Sequence, residues 1–127
     1  VSDVRSGQPE LTYREKQFLL VKCLGEFIRF ATQRGYELTL GEAYIATPRR
    51  TRDGKVVDNG VHMRGSLHYE RLAIDLNLFV DGVYITASDH PAWVELGHFW
   101  EALDPSCRWG GRFADGNHLS VTHEGRA

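Results

Sequence analysis

A carboxylate stands inside a near-continuous apolar run, Leu72-Ala73-Ile74-Asp75-Leu76-Asn77-Leu78-Phe79-Val80. The run ends at Asp81-Gly82 and is followed by Val83-Tyr84-Ile85-Thr86, a pattern that predicts a β-hairpin. Burying an unpaired carboxylate is costly. Two arrangements avoid the cost: Asp75 points to a solvated face while its neighbours point inward, as period-two alternation permits, or a cation lies beside it.

The flanking sequence supplies what such a sheet packs against. Thr12-Tyr13-Arg14-Glu15 reads as a capping box that starts a helix. Leu20, Leu24, Phe27 and Ala31 recur at helical spacing, Lys22, Glu26, Arg29 and Gln33 share the other face, and Gly35 marks the end. Because the polar face mixes both charge signs, the apolar face is expected on a sheet and not on a membrane. Tyr36 to Ile45 reads as a strand, and Thr47 to Gly60, with Arg49, Arg50, Arg52, Lys55 and Pro48, as an exposed loop. His90-Pro91 through Leu103 predicts a second helix with Trp93, Leu96, Trp100 and Leu103 on one side. Asp104 to Gly111 reads as a loop and His118 to Thr122 as a final strand. The order favours an α+β fold, an antiparallel sheet with helices packed to one side. Residues 1–10 read as a flexible lead-in and 11–127 as a single domain.

A length of 127 residues suits one core, and a net charge of −2 gives no general attraction to nucleic acid or anionic membranes. No stretch reaches membrane-spanning length, so stable membrane insertion is not expected, and the chain is expected to be a monomer. Val1 to Glu10 lacks the basic and apolar regions of a signal peptide. Cys23 and Cys107 make neither a disulfide framework nor a thiolate zinc site. Cys23 reads as a core residue. Cys107 falls in the Asp104–Gly111 loop, where a catalytic thiol would need a base.

Chemistry concentrates in two segments, Ser66-Leu67-His68 running on to Asp75, and Asp115-Gly116-Asn117-His118. They offer two imidazoles and a carboxylate as possible zinc ligands, with a second carboxylate three residues before the last. A catalytic zinc needs three protein ligands, an open position for water and a base for the proton. Each residue also has a plainer reading: His68 and His118 as structural histidines, Asp115 as the head of an Asx turn. His90 and His98 read as structural or exposed, His62 and His123 as residues flanking the motifs. Trp109 suits either a pocket wall or the core.

These segments resemble the D-alanyl-D-alanine metallopeptidase group, zinc enzymes that share a fold with lysostaphin-type peptidases and the hedgehog signalling domain. Their pattern is Ser-x-His, six residues, Asp, and later Asp or Glu-x-x-His, which Ser66, His68, Asp75, Asp115 and His118 match. The likeness continues through Leu72–Phe79, Asp81-Gly82, Leu96-Gly97-His98-Phe99-Trp100-Glu101 and Arg108-Trp109-Gly110-Gly111, spanning residues 11 to 123. It looks most like the compact phage branch that includes L-alanyl-D-glutamate endolysins.

The resemblance implies Zn2+ held by His68, Asp75 and His118, with Asp115 as general base and Ser66 touching the substrate backbone. It implies bacterial peptidoglycan stem peptides as the substrate. It also implies synthesis in a host bacterial cytoplasm and action on periplasmic peptidoglycan. A D-alanyl-D-alanine carboxypeptidase and a non-catalytic zinc-stabilised module are the alternatives. One departure stands out: the arginine that relatives carry just after an aromatic, before the loop, is replaced here by Ile45 after Tyr44. Arg49, Arg50 or Arg64 is expected to substitute for it.

Overall fold

The first helix begins where the capping box sets it. In the computed structural model, which describes residues 10–43, 67 and 71–125, the Glu15 amide donates to the Thr12 hydroxyl at 3.1 Å. The Thr12 amide donates to the Glu15 carboxylate at 2.8 Å. Helix α1 (Tyr13–Gln33) then buries Leu20, Cys23, Phe27 and Ala31 and leaves Lys22, Glu26, Arg29 and Gln33 exposed. It closes at Gly35, in the left-handed region.

The remaining elements are β1 (Glu37–Leu40), β2 (Ala73–Val80), β3 (Val83–Ile85), α2 (Pro91–Leu103), β4 (Cys107–Trp109) and β5 (His118–Val121). The five strands among the described residues form one antiparallel sheet ordered β1-β2-β5-β4, with β3 also on β2. The fold is α+β, as expected. Asp81 and Gly82 both take positive φ, as a type I′ hairpin turn requires. The strand expected over Tyr36 to Ile45 is shorter, Glu37–Leu40, and its expected last two residues lie outside the described residues. Residues 1–9 of the expected lead-in and the loop from Thr47 to Gly60 also lie outside them.

Period-two alternation divides the sheet. Ile74, Leu76 and Leu78 of β2 and Leu119 and Val121 of β5 join Phe27 of α1 and Trp93, Leu96 and Trp100 of α2 in one buried cluster. Both helices therefore cover one face. Asp75, Asn77 and His118 belong to the other. The helices meet through Phe30 and Phe99, stacked at 4.1 Å, and through Phe27 set edge-on to Trp100 at 5.9 Å. Fully burying a side chain such as Phe27 contributes about 1.5–3 kcal/mol.

The segment from Asp104 to Gly111 corrects the sequence reading. It is not a plain loop: it contains β4, which pairs Cys107, Arg108 and Trp109 with Val121, Ser120 and Leu119. A 3-10 turn, Gly110–Phe113, follows. Three residues are too few to display a period, and the flanking Pro, Ser and Gly residues dominate the local signal. Cys107 is consequently a wholly buried strand residue, in contact with Cys23 of α1. That contact, together with burial, pushes its thiol far above the usual range. Cys107 should therefore not react with iodoacetamide in the native protein at neutral pH, while it should in denaturant. Native alkylation of Cys107, read by mass spectrometry, would contradict this packing.

Candidate functional site

The site is built on the β2–β5 ladder. Ala73, Ile74 and Asp75 face Ser120, Leu119 and His118 in register, and residues directly opposed across antiparallel strands share a face. Asp75 Oδ1 lies 3.3 Å from His118 Nδ1, and the two side chains are 16% and 14% exposed. Backbone bonds hold both ends of this pair. The Asp75 amide donates to Glu42 at 2.6 Å, its carbonyl accepts from Gly41 at 2.8 Å, and Leu76 donates to Asn117 at 3.0 Å.

Zinc bonds of about 2.0–2.2 Å to oxygen and nitrogen, in tetrahedral geometry, put neighbouring ligand atoms about 3.4 Å apart. The oxygen and nitrogen of Asp75 and His118 have the chemistry and separation for two such ligands. The same separation also suits an ordinary ion pair. Among the described residues no third His, Cys, Asp or Glu completes a cluster with them. His68 lies outside the described residues, as do Ser66, Arg49, Arg50, Arg64 and His62. The residue before His68 is described: Leu67 is buried with Leu72 and Ala73, and its carbonyl accepts from Leu72 at 3.0 Å. That fastens the chain entering β2 beside Ala73, two residues from Asp75 on the same side of the strand.

Asp115 sits on the turn leading into β5. Its amide donates to Gly110 at 2.9 Å and its carbonyl accepts from His118 at 3.1 Å. Ala114, just before it, takes left-handed backbone at φ 59°, which costs an L-residue about 1–2 kcal/mol. The carboxylate is exposed and, among the described residues, makes no hydrogen bond, so an Asx turn does not account for it. A small cleft of about 140 Å3 adjoins Asp115, with Asn77, Tyr84, Thr86, Ser88 and Asn117 in its wall.

Trp109-Gly110-Gly111 supports this turn from below. The Trp109 indole is buried at the core, lies against Gly97 of α2 and Gly111, and donates from Nε1 to the Gly116 carbonyl at 2.7 Å. Its ring also borders the cleft that holds Phe113, but core packing is its principal role. Gly110 passes so close to Asp115 and His118 that a Cβ would collide with the Asp115 carbonyl and stand 2.8 Å from the His118 Cβ. Behind the strand, Glu101 accepts from the Trp109 amide at 3.1 Å and from the Arg112 guanidinium.

The other described histidines serve elsewhere. His90 caps α2 by accepting from the Ala92 amide at 3.0 Å. His98 is exposed and meets the Trp109 ring edge-on. His123 does not line this site: it lies 3.2 Å from Lys16 Nζ, near the start of α1, and 2.8 Å from Glu124. Ser88 was not among the expected residues, yet its hydroxyl accepts from the Gly116 amide at 2.8 Å. Only contacts between distant segments disclose it. No family model matches the chain, and no curated protein matches it.

Glu101 yields a pH prediction. Burial pushes its carboxyl up, but Arg112 and the Trp109 amide more than offset this and hold it below its ordinary 4.5. A depressed folded pKa contributes stability above the unfolded value and loses it as pH falls through the folded one. Glu101→Gln should therefore be less stable than the native chain at neutral pH, with a narrower gap at an acidic pH below the ordinary 4.5. Urea unfolding at both pH values checks this; a constant gap would show that Glu101 does not act through its charge.

Proposed function

We propose that this chain is a zinc-dependent murein peptidase with a hedgehog/DD-peptidase-like fold, acting on bacterial stem peptides as a phage endolysin. The observation that carries the reading is the Asp75–His118 pair across β2 and β5, with the exposed Asp115 on the adjoining turn. His68, Asp75 and His118 would hold the metal, which when bound supplies Lewis acidity toward water and the scissile carbonyl. Asp115 takes a proton from the attacking water as general base, then delivers it to the leaving amine. Its carboxylate suits that work because it is solvent-facing while its backbone is tied on both sides. Ser66 and the Arg49, Arg50 and Arg64 set are assigned to substrate, an arginine fork matching a stem-peptide carboxylate. No helix among the described residues is long and apolar enough to cross a membrane.

Zinc should bind one per chain, and His118→Ala should lose both zinc and stability, since a ligand bound only to the folded state stabilises it. Full zinc occupancy in that variant, by elemental analysis, would overturn the ligand assignment.

Asp115→Asn should keep its zinc and lose about a hundred- to ten-thousand-fold in turnover. The assay is digestion of purified peptidoglycan and a defined muropeptide, read by mass spectrometry. Cleavage between L-alanine and D-glutamate supports the endolysin reading. Release of D-alanine with that bond intact makes the chain a carboxypeptidase. Zinc binding with no cleavage makes it a binding module.

A further inference from the structure

Gly116 is buried, and both polar groups of its backbone are taken by side chains from separate parts of the fold. Its carbonyl accepts from Trp109 Nε1 at 2.7 Å and its amide donates to Ser88 Oγ at 2.8 Å. Ser88 stands on the turn between β3 and α2, closed by a 3.1 Å bond from the His90 amide to the Ala87 carbonyl. That turn is anchored to α2, which His90 caps and Trp93 fixes in the core. The approach is close enough that a Cβ on Gly116 would lie 3.0 Å from both Ser88 Cα and Ser88 Oγ.

The peptide plane joining Asp115 to Gly116 carries two groups, the Asp115 carbonyl and the Gly116 amide. The first accepts from His118 at 3.1 Å and the second donates to Ser88. A planar peptide held at both ends cannot rotate without breaking a bond. Its orientation sets where Asp115 points. His118 does not depend on this plane in the same way, because β5 pairs with β2 and β4.

We propose that Ser88 is a positioning residue, whose hydroxyl aims Asp115 at the reacting water by fixing the Asp115–Gly116 peptide. The proposal rests on the reading of Asp115 as the base. Removing the hydroxyl frees the aim of the base while leaving the Asp75–His118 pair in place. The loss therefore falls on turnover, not on metal or substrate binding.

The test compares Ser88→Ala and Ser88→Thr with the native chain. Gly116 amide exchange should be about ten-fold faster in Ser88→Ala, in line with the loss of one buried hydrogen bond. On a defined muropeptide kcat should fall about ten-fold, with KM and zinc content unchanged. Ser88→Thr, which keeps the hydroxyl, should restore both. Amides of β2 and β5 report whether the fold is intact. A kcat loss matched by zinc loss, or equal losses in Ser88→Ala and Ser88→Thr, would overturn the positioning role. Unchanged Gly116 exchange in an active enzyme overturns it alone. Faster exchange in a chain whose native form cleaves nothing overturns the peptidase reading, and this role with it.

Discussion

The pairing of β2 with β5 is the interaction on which the candidate site depends. It spans only three residue pairs, from Ala73–Ser120 to Asp75–His118. Those pairs do two separate things on the two faces of the sheet. Ile74 and Leu119 join the core beneath the helices, while Asp75 and His118 meet on the other side. Because side chains alternate strictly, a register slip of one residue would exchange the two sets. The apolar burial that stabilises the fold therefore also fixes which oxygen and which nitrogen face one another.

Tryptophan provides the second layer of control. Each of the chain's three indoles donates to a backbone carbonyl: Trp93 to Ile85, Trp100 to Ser120 and Trp109 to Gly116. Each ring thus combines apolar burial with one directional bond. Two of these bonds reach β3 and β5 from α2, and the third reaches the Asp115 turn from β4. Helix α2 is not part of the site, but it sets the height and tilt of the strands and turns that are.

Much of this was legible in the sequence. The capping box, the Asp-Gly hairpin and both helices follow from local chemistry, and the structure reproduces them. Asp75 was conspicuous because a charge in an apolar strand needs a reason, and the face it occupies is the one that alternation assigns. Strand β4 was illegible, since three residues carry no period. The Cys23–Cys107 contact and the bond from Gly116 to Ser88 were illegible for another cause: each joins segments far apart in sequence, and no local pattern encodes them. His68 and the basic residues of the Thr47–Gly60 loop remain readings from sequence.

Strand β5 follows the other described strands in chain order, yet it lies inside the sheet, between β2 and β4. Until it docks, β4 has no partner and β2 has an open edge along Ala73 to Asp75 among the described residues. Helix α1 and the β2–β3 hairpin are local and can form early, whereas closing β5 onto β2 requires ordering the long intervening chain. Folding is thus expected to run from periphery to centre, with the Asp75–His118 pair among its latest products. A chain still emerging from the ribosome carries Asp75 without His118, so the pair waits for the closing step of the fold.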